Sequence, residues 1–351
     1  MTETPVCKVG MWCFLTVILC ACVIFSPGKV QAQTSGAARV VEGSVVNLTP
    51  SGANVGGMNV VLHRVDSSGN YDIEVTTDPD GIFRFNAIEY DPRVSYGVSV
   101  VYQGGLYGTD LDLSEGSPEP IKLIVYDATS SDSVISVSSS SILIASIDKA
   151  SQTISALEIV EIANDGDTAY VPGPEPMSLL RFGLPADTRA LEVDSRLIGA
   201  RVLQVDRGFA LNASVPPGKH SVMFAYNFPY FGDEVELSRV LRYGAKSVRV
   251  LAPFGVTRMS SQQLSAAQLV DIGGRPYHLL EGSGIPRGHR LTVAFEALPR
   301  SSLADDLRRQ LSGIRLEFTA VLALGVLMAS LITFALRRGS GGLKVPKHSD
   351  R

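Results

Sequence analysis

Val94-Ser95-Tyr96-Gly97-Val98-Ser99-Val100-Val101-Tyr102 decides the fold class of this chain. Val94, Tyr96, Val98, Val100 and Tyr102 fall on every second residue, with Ser95, Gly97, Ser99 and Val101 between them. Successive side chains of an extended strand point to opposite faces. The pattern therefore turns a β-branched and aromatic face toward a core and a mostly small face outward. Shorter runs of the same kind lie at 40–48, 58–65, 71–76, 82–85 and 121–126. Turn formers separate them: Ser51-Gly52-Ala53-Asn54, Ser67-Ser68-Gly69-Asn70, Asp78-Pro79-Asp80-Gly81 and Gly104-Gly105. About seven strands without a helical period predict a β-sandwich over 33–128.

Four stretches within that region carry a family resemblance. They are Glu42-Gly43-Ser44-Val45-Val46-Asn47, Met58-Asn59-Val60-Val61-Leu62-His63, Thr77-Asp78-Pro79-Asp80-Gly81-Ile82-Phe83-Arg84-Phe85 and Tyr96-Gly97-Val98-Ser99-Val100. Together they resemble the carboxypeptidase regulatory-like, prealbumin-like sandwich, in which the third stretch is a hairpin. The resemblance implies an accessory sandwich of the carbohydrate-binding-like group, which stiffens, spaces or binds. It implies no reaction.

The region 134–300 also reads as β-rich. Apolar runs at 142–147 and 153–162 flank Asp148-Lys149-Ala150-Ser151-Gln152, a hairpin turn, and Asn164-Asp165-Gly166-Asp167 ends the second run. Further strands are expected at 179–182, 190–193, 221–226, 235–243, 247–250 and 291–295. Pro172, Pro174, Pro176, Pro185, Pro216, Pro217, Pro229 and Pro253 fall between those runs, where loops belong. The polar segment 129–133 is expected to link two sandwich domains.

The chain ends carry other signals. Residues 316–336 form an apolar run, and from Phe318 to Leu336 no residue is charged. At ~1.5 Å per residue that length makes a helix of about 28 Å, close to the ~30 Å hydrocarbon core of a bilayer. Arg337, Arg338, Lys344, Lys347 and Arg351 follow it, against the single acid Asp350. Such an excess places the tail 337–351 in the cytoplasm and the preceding domains outside a plasma membrane crossed once. Leu303, Leu307, Leu311 and Ile314 recur at helical spacing, which predicts a juxtamembrane helix over 301–315.

At the other end, Lys8, the apolar run 9–25, Pro27-Gly28 and Val30-Gln31-Ala32 read as a secretory signal over 1–32. Retention of that run as an anchor stays open, as does lipidation at Leu19-Cys20-Ala21-Cys22. Cys7, Cys13, Cys20 and Cys22 are the only cysteines, so an exported remainder has no disulfide. That composition fits a bacterial exported domain better than a disulfide-stapled ectodomain.

Charge and motif content bound the function. Residues 33–128 hold five bases against thirteen acids, whereas 129–315 hold nineteen of each. An acidic first domain repels nucleic acid, so no nucleic-acid partner is expected. His63, His220, His278 and His289 lack the spacing of a zinc helix, and no nucleophile elbow, phosphate loop or dinucleotide fingerprint occurs. Asp78-Pro79-Asp80-Gly81 reads as a tight hairpin turn rather than a calcium loop, and Gly282-Ser283-Gly284 as a turn. No catalytic residue, metal or cofactor is expected, and the chain reads as a non-enzyme.

Tyr226, Phe228, Tyr230 and Phe231 surround Pro229 and precede Gly232. Aromatic groups at a strand end form either a platform for a sugar ring or apolar side chain, or part of a core. The expectation is a non-catalytic, single-span extracytoplasmic protein whose sandwiches bind or position a glycan or protein partner. The alternative is an accessory or bracing subunit of a membrane transport or cofactor-assembly complex.

Overall fold

Strand periodicity governs the observed architecture, and the described residues contain no α-helix. The structure, a computed structural model, describes residues 38–300 apart from 206, 266 and 267. The signal segment 1–32, the juxtamembrane helix 301–315, the span 316–336 and the tail 337–351 lie outside the described residues. Among the described residues no helix is long and apolar enough to cross a membrane.

The amino-terminal half supplies β1 (Arg39–Asn47), β2 (Asn59–Asp66), β3 (Gly69–Thr76), β4 (Ile82–Ile88), β5 (Ser95–Tyr102), β6 (Gly105–Leu111) and β7 (Ile121–Val125). They form two sheets, ordered β4-β1-β7 and β3-β2-β5-β6. β1 and β7 run parallel, and the other neighbours are antiparallel. The alternation at 94–102 is met in the main: Tyr96, Val98, Val100 and Tyr102 are buried and Val101 is exposed, but Ser99 is buried as well and Val94 is only half-buried ahead of β5. Tyr96, Val98, Val100 and Tyr102 pack with Val60 and Leu62 on one layer, facing Val41, Val45, Phe83, Phe85, Leu123 and Val125 on the other. Full burial of each large apolar side chain stabilises by roughly 1.5–3 kcal/mol relative to exposure.

The tight turn expected at 78–81 is present, with Gly81 N donating to Asp78 O at 3.0 Å, but the hairpin expected at 77–85 is corrected. β3 and β4 belong to different sheets, so this stretch carries the chain across the sandwich rather than back along one layer. Phe83 and Phe85, in edge contact at 5.9 Å between ring centres, are placed in the layer opposite Leu62 and Val98. The crossing is tied locally. Asp78 Oδ1 accepts from the amides of Asp80 (3.0 Å) and Ile82 (2.8 Å), and Val45 N donates to Gly81 O at 2.8 Å. Gly81 has φ +83°, and a Cβ there would lie 2.7 Å from Val45 O, so only glycine fits.

The remaining strands are β8 (Ala128–Thr129), β9 (Ile135–Asp148), β10 (Thr153–Asn164), β11 (Ala169–Tyr170), β12 (Leu180–Gly183), β13 (Arg189–Ser195), β14 (Arg201–Val205), β15 (Gly208–Asn212), β16 (Gly218–Pro229), β17 (Glu234–Leu241), β18 (Ala245–Pro253), β19 (Arg258–Ser260), β20 (Gln268–Ile272), β21 (Arg275–Ile285) and β22 (His289–Glu296). A seven-stranded sheet, β13-β16-β10-β9-β18-β21-β20, is flanked by the three-stranded sheets β12-β15-β14 and β17-β22-β19. One core joins all three: Ile144, Phe224 and Val250 from the large sheet meet Phe209 from one small sheet and Val293 from the other. Layers packed face to face make this half sandwich-like as well.

The hairpin expected around Asp148 is present, with Thr153 opposite Asp148 and the Ala150 amide bound to Asp148 Oδ1 at 2.8 Å. Two other readings are corrected. Gly282 and Ser283 do not turn but pair in β21 with Val248 and Ser247. Glycine fits at 282 because a Cβ would lie 2.9 Å from the Gln263 backbone carbonyl and 2.6 Å from Leu264 Cδ2. Pro229 and Pro253 are the last residues of β16 and β18 rather than loop residues, a position where a missing N–H is tolerated.

The polar segment after β7 is packed rather than free. β8 pairs in parallel with β11, and Ala169 enters the smaller core. Asn47 Nδ2 donates to Asp127 Oδ1 (2.8 Å) and Tyr102 Oη (3.0 Å), and Tyr102 Oη donates to Asp127 Oδ1 at 2.8 Å. Thr49 Oγ1 donates to the Asp167 carbonyl at 3.1 Å, and Asp132 binds both Arg242 and Arg287. Of these contacts, the β8–β11 pairing and the Thr49–Asp167 bond join the two cores.

Candidate functional site

The aromatic group around Pro229 does not form one surface. Tyr226, Phe228 and Tyr230 are 1%, 2% and 0% exposed and belong to the larger core, whereas Phe231 is 78% exposed. The reason is register. Val222, Phe224, Tyr226 and Phe228 fall on one face of β16, which the flanking sheets cover. Tyr230 is fixed by its hydroxyl, which donates to Pro299 O at 2.6 Å. A sugar platform made of all four rings is excluded, and Phe231 alone stands in solvent.

Glu158 on β10 and Arg239 on β17 meet in the larger core, where Ser140 Oγ donates to Glu158 Oε1 at 3.0 Å. Burial works against the Arg239 charge, but the Glu158 carboxylate outweighs it and holds the guanidinium above its ordinary range. Burial also raises the Tyr226 hydroxyl beside them. The adjoining cavity of about 30 Å³ is of the size of one water, so this cluster is a structural element and not a ligand site.

His63 raises a different possibility. Its Nδ1 lies 2.8 Å from Asp72 Oδ1 and its Nε2 lies 2.7 Å from Ser99 Oγ, the order found in serine hydrolases. The three residues sit on β2, β3 and β5 of one sheet, with His63 and Asp72 side chains 37% and 48% exposed. Ser99 occupies an inner strand with Val61 and Gly108 on either side, so its backbone is committed to the ladder. Acyl transfer needs unpaired donors aimed at the developing oxyanion, and a central strand offers none. The group is a polar cross-strand cluster. Sequence reading missed it because its members lie on three separate strands.

A concave site of ligand size lies where the two cores meet. A cleft of about 330 Å³ is bordered by β6 and β7 on one side and by the 196–198 loop and 214–220 on the other. Volumes of ~300–1,000 Å³ are those of ordinary ligand sites. β6 and β7 are the end strands of their sheets, and consecutive residues of each line the cleft, so strand edges rather than sheet faces are presented. Ser214 Oγ donates to Leu106 O at 3.4 Å at the floor. Gly199, at φ +67°, leaves only 2.6 Å between a built Cβ and Leu106 Cδ2, which brings the loop hard against β6.

Lys122, Arg196 and His220 line the cleft, and no Asp or Glu does. Leu106, Ile124 and Ile198 give it apolar walls. His220 Nε2 donates to Pro216 O at 2.8 Å, which fixes the ring. Tyr107 Oη donates to Tyr126 O at 3.1 Å, and burial pushes the phenol up to about 12. Sequence reading weighs His220 only as a zinc ligand and sets it aside, and does not single out Lys122, Arg196 or Tyr107. Four segments far apart in sequence supply the lining, 106–109, 122–126, 196–198 and 214–220, which no local pattern brings together. Among the described residues no group of three or more His, Cys, Asp or Glu could hold a metal ion.

No family model and no curated protein matches the chain. Among solved structures, the M1 zinc metallopeptidase from Deinococcus radiodurans aligns at TM-score 0.29 and 11% identity, over 46% of this chain and 42% of that one. A two-domain M1 zinc metallopeptidase mutant bound to L-tryptophan aligns at 0.28 and 10%, over the same shares. The match thus spans less than half the length of these structures, and similarity this low carries no argument about fold or activity.

Proposed function

We propose that this chain is a non-catalytic, membrane-anchored extracytoplasmic protein that binds a glycan or protein partner in the cleft between its two cores. The observation that carries the reading is the cleft itself: ligand-sized, edged by two end strands, and lined by Lys122, Arg196 and His220 without a balancing acid. The apolar run 316–336, followed by Arg337 and Arg338, supports anchoring with the sandwiches outside. The resemblance of residues 42–100 to carboxypeptidase regulatory-like modules supports an accessory role rather than a reaction. The bonds that cross between the halves, Ala169 N to Asp127 O at 2.9 Å and Thr49 Oγ1 to Asp167 O at 3.1 Å, support a preorganised site.

Site-specific photocrosslinking tests the reading. The full chain carries benzoylphenylalanine in place of Ile124 or Ile198 in cells, with Leu269, exposed on the far edge of the large sheet, as the control position. The expected result is one discrete adduct from the cleft positions and none from the control. Absence of a cleft adduct, or the same adducts from all three positions, rejects a partner in this cleft.

A further inference from the structure

The cleft has features that a small-molecule pocket does not need. β6 pairs with β5 alone, so its other edge keeps unpaired backbone groups. Leu106 O points away from β5, since it accepts from Ser214 across the junction. In an antiparallel ladder outward and inward groups alternate, so Gly108 and Asp110 share the Leu106 edge while Tyr107 and Thr109 face Val100 and Val98. The close approach of Gly108 to Ser99, 3.2 Å between a built Cβ and the Ser99 Cβ, is that of a pair without mutual hydrogen bonds. Ser214 fills one rung, and the Gly108 rung faces the cleft with no side chain above it.

Charge sets what fits beside that edge. Lys122 is one of five bases against thirteen acids in 33–128 and stands on the cleft wall, opposite Arg196 from the other core. Neither has an ion-pair partner among the described residues, whereas Lys219, Lys246 and Arg249 are matched with Glu161, Asp165 and Glu281. The walls alternate these bases with Leu106, Ile124 and Ile198. A strand that shows acids to one side and apolar groups to the other matches that arrangement at the two-residue period of extended backbone.

We propose that the cleft takes an extended acidic polypeptide segment of a partner protein, which adds as a strand to the free edge of β6 and sets its carboxylates against Lys122 and Arg196. This rests on the partner-binding reading and names the class of partner. A neutral glycan would leave both bases unanswered. Of the lining tyrosines, Tyr107 is buried and Tyr126 packs half-buried against the smaller core, so neither stands free as a sugar platform.

The test uses the full chain in nanodiscs of zwitterionic lipid. Fluorescent, end-blocked hexapeptides alternating Glu with Val are compared with a Lys-Val peptide, and with two Glu-Val peptides N-methylated on either the Glu or the Val amides. Polygalacturonate serves as the acidic glycan. The Glu-Val peptide is expected to bind roughly tenfold or more tightly than the Lys-Val peptide, and to lose about tenfold in Lys122→Gln/Arg196→Gln. Arg275→Gln, exposed and remote from the cleft, is expected to change nothing. One N-methylated peptide is expected to lose binding and the other to keep it, because only alternate amides face a neighbouring strand.

Equal binding of both N-methylated peptides overturns strand addition. Equal binding of the acidic and basic peptides overturns the charge match. Polygalacturonate binding that depends on Lys122 and Arg196, with no peptide binding, overturns the peptide and leaves a partner in the cleft. Silence from every probe overturns this inference, while the cleft adducts at Ile124 and Ile198 decide the broader reading independently.

Discussion

Glu158 and Arg239 face each other inside the larger core, 0% and 5% exposed, and join the seven-stranded sheet to the small sheet that covers it. Two buried charges are tolerable there because each answers the other and Ser140 fills a further position. Removing one partner strands the other. Glu158→Gln or Arg239→Met is expected to lower the unfolding free energy of the detergent-solubilised full chain by about 3–5 kcal/mol. The apolar double replacement Glu158→Leu/Arg239→Met is expected to lie closer to wild type than either single variant. Additive losses in a denaturant titration would show that the pair is not coupled.

Asp127 gives the first sandwich a pH dependence. The Tyr102 hydroxyl and then the Asn47 amide hold its carboxyl below the usual carboxylate range. A depressed folded value stabilises above the unfolded pKa of ~3.9, and the gain is lost as pH falls through the lower folded value. The unfolding midpoint should therefore drop on acidification below about pH 4 in wild type, and less steeply in Asp127→Asn. Parallel curves for the two proteins would remove Asp127 from the account.

Gly81 tests the crossing between layers. Gly81→Ala forces a side chain onto φ +83° and against Val45 O at 2.7 Å. The cost should be about 1–3 kcal/mol. The same change at Gly57, where φ is +72° and a Cβ meets nothing within 4 Å, should cost less. Equal losses would place the effect in φ alone and not in the packing of β4 against β1.

Ser99 tests the absence of catalysis. Although Ser99, His63 and Asp72 are linked in hydrolase order, the ladder leaves no donor for an oxyanion. The full chain should not react with a fluorophosphonate probe. Labelling that disappears in Ser99→Ala and His63→Ala would contradict the non-catalytic reading.

Legibility in the sequence tracked the local character of each signal. The alternation of Tyr96, Val98, Val100 and Tyr102 and the turn after Asp148 rest on neighbours in sequence, and both are present. The layer change at Gly81 depends on which distant strand receives Ile82, here Ser44 of β1, and no local pattern reports that. β21 was hidden because Gly282-Ser283-Gly284 has the composition of a turn, yet Gly282 is small to admit Leu264. The aromatic run at 226–231 drew attention by composition alone, and three of its rings proved to be core. The cleft residues Lys122, Arg196 and His220 lie on segments far apart in sequence and are gathered only by the packing of two cores.

Single cysteines test the central claim most directly, because every native cysteine lies within 1–32. Ile124→Cys and Ile198→Cys report on the cleft, and Ile272→Cys, exposed on the outer edge strand β20, serves as the reference. A membrane-impermeant maleimide is added to spheroplasts and, separately, to the purified full chain. The account predicts that Ile272→Cys labels in both, while the cleft cysteines are shielded in spheroplasts and become reactive once the chain is purified. Cleft cysteines that label in spheroplasts as fast as Ile272→Cys, or a reference cysteine that stays unlabelled until the membrane is breached, would contradict it.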